Sequence, residues 1–281
     1  MKKITAGLLS LLVILFVSCQ KEIDWGLGGG SAADKLLVKI KSKTGVDSSV
    51  ILYSYNTARQ LIGENITGMS GTTNLDNDLK IFRNNSGIIL KTVQVSATLV
   101  AAGVDSVVTI YNYNATTSQY KSSVFTITIL GFSVADSAAY TYDASGKITG
   151  DEHYLKTGFL PPLLSLKNQY SYSADGLNLT GLQQLASLVP GDPLTPVSAQ
   201  TFTYDNKKNP LIIKNEAVLL GRTGFFNANN GIKIMLTSTI SPANDFTMDY
   251  VYKYNSSGQP DSSYATRTPG GSVTASKYFY Q

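Results

Sequence analysis

His153 is the single histidine of the 281-residue chain, and it stands in Gly150-Asp151-Glu152-His153-Tyr154, beside two carboxylates. Such a grouping invites acid–base or metal chemistry. A metal site, however, draws three or four ligands from His, Cys and carboxylates, and on a strand the neighbours of His153 alternate between two faces. No metal site is expected there. Asp76-Asn77-Asp78 is as oxygen-rich as a cation loop but lacks the glycine and terminal glutamate of an EF-hand, and it reads as a turn. With one His, and a single Cys that reads as a lipidation site, Ser-His and Cys-His nucleophilic catalysis are almost excluded. Phosphate-cradling loops, nucleophile elbows and dinucleotide fingerprints are absent. The 19 acidic residues could pair in space as in a glycosidase, though the sequence nominates no pair. No catalytic residue, metal or cofactor is expected.

The one cysteine, Cys19, follows MKKITAGLLSLLVILFVS. Lys2 and Lys3 precede an apolar run from Ala6 to Val17, which falls short of the roughly 20 apolar residues a bilayer crossing needs and matches a secretory signal. Phe16-Val17-Ser18-Cys19 resembles the bacterial lipobox. That resemblance implies cleavage before Cys19, lipidation of its sulfur and acylation of the new amino terminus. The protein would then be held at the outer membrane of a Gram-negative bacterium, on its periplasmic or surface face; several acyl chains give the stable anchoring that one does not. Gln20-Lys21-Glu22-Ile23-Asp24 loosely resembles the export signal of surface-exposed lipoproteins, with Ile23 interrupting the acidic pair. The Gly-rich stretch from Trp25 to Ala33 reads as a flexible tether. The expected division is a signal at 1–18, a lipidated Cys and tether at 19–34, and a β domain at 35–281. A lone Cys excludes an internal disulfide. Beyond the signal, 21 basic residues face 19 acidic ones, so nucleic acid is not an expected partner.

The elements that position these residues come from a repeat. Tyr53-Ser54-Tyr55-Asn56, Tyr111-Asn112-Tyr113-Asn114, Tyr140-Thr141-Tyr142-Asp143, Tyr170-Ser171-Tyr172-Ser173, Phe202-Thr203-Tyr204-Asp205, Tyr252-Lys253-Tyr254-Asn255 and Tyr278-Phe279-Tyr280-Gln281 are versions of one phrase. Degenerate copies start at Phe82 and Phe226, giving steps of 24 to 32 residues, and 13 of the 17 Tyr fall in the phrase. Aromatics at i and i+2 share one face of a strand and the polar residue between them takes the other. The Asp or Asn that follows can accept main-chain N–H groups across a turn. A glycine about three residues on (Gly87, Gly146, Gly176, Gly231, Gly258) supplies positive φ. Each unit is thus a β-hairpin.

The phrase YTYDASGKITG resembles the YD repeat of Rhs-type shell proteins. Together with the lipobox it is similar to a family of bacterial lipoproteins of unknown function described as having a porin-like β fold. The resemblance covers about Leu36 to Gln281, implies architecture rather than chemistry, and departs from the YD pattern in keeping only Asp143 and Asp205. The expected fold is all-β: an antiparallel meander of about 16 strands from repeated hairpins, more than an open twisted sheet usually carries. It should roll into a barrel-like or two-layered shell. One short helix is expected near 181–189, where Leu182, Leu185, Leu188 and Val189 have helical spacing and Thr180 with Gln183 resembles a capping box.

Three functions fit. In the first, an anchored structural or binding lipoprotein uses Tyr53, Tyr55, Tyr111, Tyr113, Tyr140, Tyr142, Tyr170, Tyr172, Tyr204, Tyr252 and Tyr254 either as core or to face a glycan or another envelope component. In the second, the chain is an integral outer-membrane barrel with aromatic girdles. The third is a glycosidase.

Overall fold

The computed structural model describes residues 35–129, 132–157, 161–189, 191–210, 216–221 and 227–281. The strands are β1 (Leu37–Thr44), β2 (Asp47–Tyr55), β3 (Leu61–Ser70), β4 (Thr73–Asn74), β5 (Asn77–Arg83) and β6 (Ile89–Ser96). There follow β7 (Val107–Asn114), β8 (Gln119–Ile129), β9 (Phe132–Tyr142), β10 (Ile148–Thr157), β11 (Leu163–Tyr172) and β12 (Leu179–Ala186). The last are β13 (Thr195–Lys208), β14 (Asn229–Ser238), β15 (Phe246–Tyr254), β16 (Pro260–Thr268) and β17 (Val273–Tyr280). Each strand pairs antiparallel with the next, β1 pairs with β17, and β4 only extends the tip of β3, so 16 strands close into an up-and-down barrel. At the closing seam Ser42 and Ser276 hydroxyls meet at 2.8 Å and those of Thr44 and Thr274 at 2.6 Å. Leu36 and Gln281 exchange both main-chain hydrogen bonds.

Burial alternates along the strands as their period of two requires. Ile40, Ile51, Tyr53, Leu79, Ile81, Tyr111, Tyr170, Phe202, Tyr250 and Tyr278 belong to one buried cluster that draws on strands around the whole barrel, which identifies its members as the inner face. Among the described residues, the phrases sit at the same end of the barrel as the start of β1 and the end of β17. Its turns follow the expected chemistry. Asp143 Oδ1 accepts from the N–H groups of Ser145 and Lys147 at 2.8 and 3.0 Å, and Gly146 carries φ 80°. Asn84 and Asn255 repeat that pattern. In the first hairpin Arg59 occupies the left-handed position, with φ 62°.

The second aromatic of the phrase has a further task. In the hairpins after β2, β5, β7, β9, β11, β13 and β15 the register shifts beside it, leaving Ile62, Leu90, Lys121, Thr149, Thr180, Ile232 or Asp261 without a partner on the outgoing strand. Such bulges bend a strand and re-aim its side chains. The second tyrosine hydroxyl then crosses to the preceding hairpin and donates to a carbonyl at its foot. Tyr55 bonds Leu37 O at 2.8 Å, Tyr142 bonds Tyr120 O at 2.8 Å and Tyr172 bonds Ile148 O at 2.6 Å. Tyr204 bonds Leu179 O and Tyr280 bonds Pro260 O at 2.7 Å; in the phrase on β15 the first tyrosine takes this part, Tyr252 bonding Gly231 O at 3.1 Å, while Tyr254 donates to Asp205. The repeat is therefore a ring of hydroxyl staples as well as a set of strands.

Three expectations are corrected. Residues 181–189 do not form a helix: 179–186 are β12, paired with β11 and β13 on either side. The Leu182/Leu185 spacing fits a helix, but Leu182 and Gln184 also fit a strand with both inside, and two waiting strand edges satisfy its backbone. Phe82 points outward, 42% exposed, with Lys91 Nζ 4.7 Å from its ring centroid, while Ile81 and Arg83 point inward. Gly231 lies on β14 rather than in a turn. Phe226 itself lies outside the described residues, as do Cys19 and the tether.

Candidate functional site: the staple ring, the plug and the buried imidazole

The end of the barrel that carries the phrases is filled. Tyr111 and Tyr113 meet Tyr120 edge to face with ring centroids 6.0 and 5.1 Å apart, and Tyr250 stacks on Tyr252 at 6.3 Å. Tyr252 also approaches Tyr278 at 6.4 Å. Into this ring runs the connection between β13 and β14, where the helical turn Glu216–Leu219 buries Ala217, Val218 and Leu219. It is held from the opposite wall. Tyr111 donates to Leu219 O at 3.0 Å, and Arg83 binds Glu216 through two hydrogen bonds of 2.8 and 2.7 Å. Arg83 also donates to Leu61 O and Gly87 O, at 3.0 and 2.7 Å. Arg83 thus replaces a stapling tyrosine and carries the plug's counter-charge as well.

The inner wall is more polar away from the tyrosines. His153 on β10 lies between two aspartates, its Nδ1 3.0 Å from Asp136 on β9 and its Nε2 2.9 Å from Asp151, two residues before it on the same face. Asp151 further accepts from Tyr170 Oη and Asn168 Nδ2, both at 2.7 Å. Gln184 donates to Asn168 at 3.1 Å and accepts from Ser198 at 2.7 Å, so the network crosses five strands, β9 to β13. Burial pulls the imidazole pKa down, but the hydrogen bonds and charges of Asp136 and Asp151 outweigh it and push the value up to about 10. With both nitrogens donating, this histidine has no lone pair with which to bind a metal or act as a base. No group of His, Cys, Asp and Glu among the described residues has the geometry of a metal site. Asp136 and Asp151 do converge as carboxylates, but on the imidazole, and both are buried.

All the tyrosines singled out in the sequence face inward. Tyr53, Tyr111 and Tyr170 are buried outright, and Tyr55, Tyr113, Tyr140, Tyr142, Tyr172, Tyr204 and Tyr252 are half-buried against the same core, while Tyr254, also half-buried, hydrogen-bonds Asp205 and Asn230 beside it. Burial raises their phenols: those of Tyr111 and Tyr142 to about 12, and those of Tyr140, Tyr170 and Tyr252 well above the usual value. They remain protonated donors. Sequence reasoning missed Tyr120, whose hydroxyl accepts from Ile89 N–H at 2.8 Å. It also missed Tyr250, Arg83, Glu216 and Asp136; Tyr250 carried a signal, two residues before Tyr252, and so did Arg83, directly before the turn residue Asn84.

No family model and no curated protein matches the chain. Among solved structures, a porin-like protein from Bacteroides uniformis aligns with a TM-score of 0.52 at 15% identity, over 87% of this chain and 98% of that one. A second porin-like protein, from Bacteroides vulgatus, aligns with a TM-score of 0.52 at 11% identity, over 88% and 99%. At these identities the likeness is one of fold. It agrees with the porin-like architecture implied by the resemblance, and it fits the integral-barrel expectation better than the anchored one. It bears on neither a YD repeat, a lipid anchor nor a glycan.

Proposed function

We propose that this chain is an outer-membrane lipoprotein whose barrel stands in water as a structural or binding module, rather than a pore through the bilayer. The observation that carries this is the outer face of β1. Its successive outward positions are Lys39, Lys41 and Lys43, and strand pairing sets Lys277 beside Lys41, with Lys253 two strands further on. A lysine at the midplane of a lipid-facing strand costs about 2–4 kcal/mol. Five on one wall would cost on the order of 10 kcal/mol, comparable with a whole domain's stability. The plug supports the same reading, because it closes the end of the lumen that a pore would keep open. Glycans or other envelope components are the partner class. Because the phrase tyrosines are turned inward, recognition would fall to outward and rim side chains.

The integral barrel is the second reading. The neighbours' fold favours it, as do the exposed Phe82, Val95, Ile110 and Val124 on β5 to β8. Lys80 and Lys91 interrupt that band. Fractionation of cells carrying Cys19→Ser separates the two readings. The tethered domain should leave the membrane pellet in carbonate without detergent. Retention of the variant in the pellet would overturn the proposal.

A further inference from the structure

The five lysines form a continuous patch at the seam. Lys253, Ser262, Lys277, Lys41 and Val50 follow one another across β15, β16, β17, β1 and β2 in a single row of the sheet. Lys43 lies one outward position along from Lys41, beside Ala275, which adjoins the exposed Tyr264. Lys39 lies one position the other way, beside Phe279, and the Nζ atoms of Lys39 and Lys41 stand 5.8 and 5.9 Å from that ring's centroid. A shallow depression of about 450 Å3 is lined in part by Lys41, Lys43, Tyr264 and Lys277. The acids of these five strands are Asp47, Asp249 and Asp261. Asp249 faces Lys233 at 3.8 Å, and none of the five lysines forms a salt bridge among the described residues. Five uncompensated ammonium groups framed by two aromatic rings match a surface of phosphate headgroups, where basic side chains attract and aromatic rings settle.

The start of the chain points to the same occupant. β1 begins at Leu37, beside the C-terminus, so the segment from Cys19 enters the barrel at the foot of the lysine wall. A random-coil segment as long as residues 19–34 would span about 20 Å, and the eight residues of β1 extend for about 26 Å. A lipid on Cys19 would therefore hold this wall within one barrel height of the bilayer.

We infer that the β1–β17 seam docks on the anionic phospholipid surface to which the chain is tethered, so that the barrel lies on its lysine wall; this rests on the anchored reading above.

The test uses the chain beginning after Cys19, because the described strand pairings all lie within residues 36–281 and close the barrel among themselves. The chain is sedimented with phosphatidylcholine vesicles, with or without phosphatidylglycerol, at low and high salt. Binding is expected only with phosphatidylglycerol, and it should vanish at high salt. At about fivefold per lysine, the triple variant Lys41→Glu/Lys43→Glu/Lys277→Glu should lose about 100-fold or more in affinity. The control triple Lys91→Glu/Lys121→Glu/Lys156→Glu, on other walls, should bind like the parent, with circular dichroism confirming that both variants fold. Equal binding to neutral vesicles, no binding at all, or equal losses in both triples would overturn the docking face. Those outcomes would leave the anchored reading standing, since that depends on release of Cys19→Ser. Salt-resistant insertion into either vesicle would instead overturn both.

Discussion

Raising the pH from 7 to 10 should strip stability from the barrel through one side chain. His153 titrates near 6.5 when unfolded and near 10 between Asp136 and Asp151. Its folded value is raised, so its contribution is fully present below 6.5 and is lost as the pH climbs through about 10. Within that window each pH unit removes about 1.4 kcal/mol, or about 4 kcal/mol between pH 7 and 10. For a barrel of this size that corresponds to a fall of roughly 10 °C in melting temperature. The groups facing the imidazole are Asp136 from β9, Asp151 from its own strand and, through Asp151, Tyr170 from β11. The tyrosines add their own loss only above pH 10, where unfolded phenols ionise and the raised folded ones do not. Thermal melts at half-unit steps from pH 6.5 to 9.5 isolate the histidine. The parent should slope downward, His153→Gln should be nearly flat, and nitrogen NMR of the parent should still report an imidazolium at pH 8.5. A flat parent curve, or a slope that survives His153→Gln, would refute the reasoning.

Further substitutions test the staples and the plug. Tyr172→Phe strands the Ile148 carbonyl and should cost about 1–2 kcal/mol in urea unfolding, whereas Tyr264→Phe, on an exposed ring, should be neutral. Arg83→Met leaves Glu216 facing the core and should cost about 3–5 kcal/mol, and the double variant Arg83→Met/Glu216→Gln should recover part of that, measured by the same denaturation. Gly146→Ala, at φ 80°, should destabilise by about 1 kcal/mol, and Arg59→Gly, at φ 62°, should do the opposite by a similar amount.

The hairpin, its inner face and its turn were legible because they depend on local rules. Two aromatics at i and i+2 go to one side, and an Asp or Asn with a glycine three residues on makes the turn. Where the rule failed, the error was one of register. Aligning Phe82 with Tyr53 matched ring to ring, whereas aligning Asn84 with Asn56 matches turn to turn and places Arg83 in the stapling position. The Asn84–Gly87 interval, the same as Asp143–Gly146, carried that signal. The strand at Leu179 was illegible for another reason. Its leucines serve either period, and only the neighbouring edges decide. Asp136 and His153 were beyond reach, since their meeting depends on how β9 and β10 align past the bulge at Thr149. The plug was equally hidden, because Glu216 and Arg83 lie 133 residues apart.

The first and last strands of this barrel are neighbours, with Ser42 and Ser276 separated by 234 residues of chain. The barrel cannot close early: until the eight residues of β17 arrive, the growing sheet has two raw margins. Each presents a row of free amides and carbonyls to whatever strand drifts past. A chain cut short before β17 would therefore be sticky rather than merely weakened.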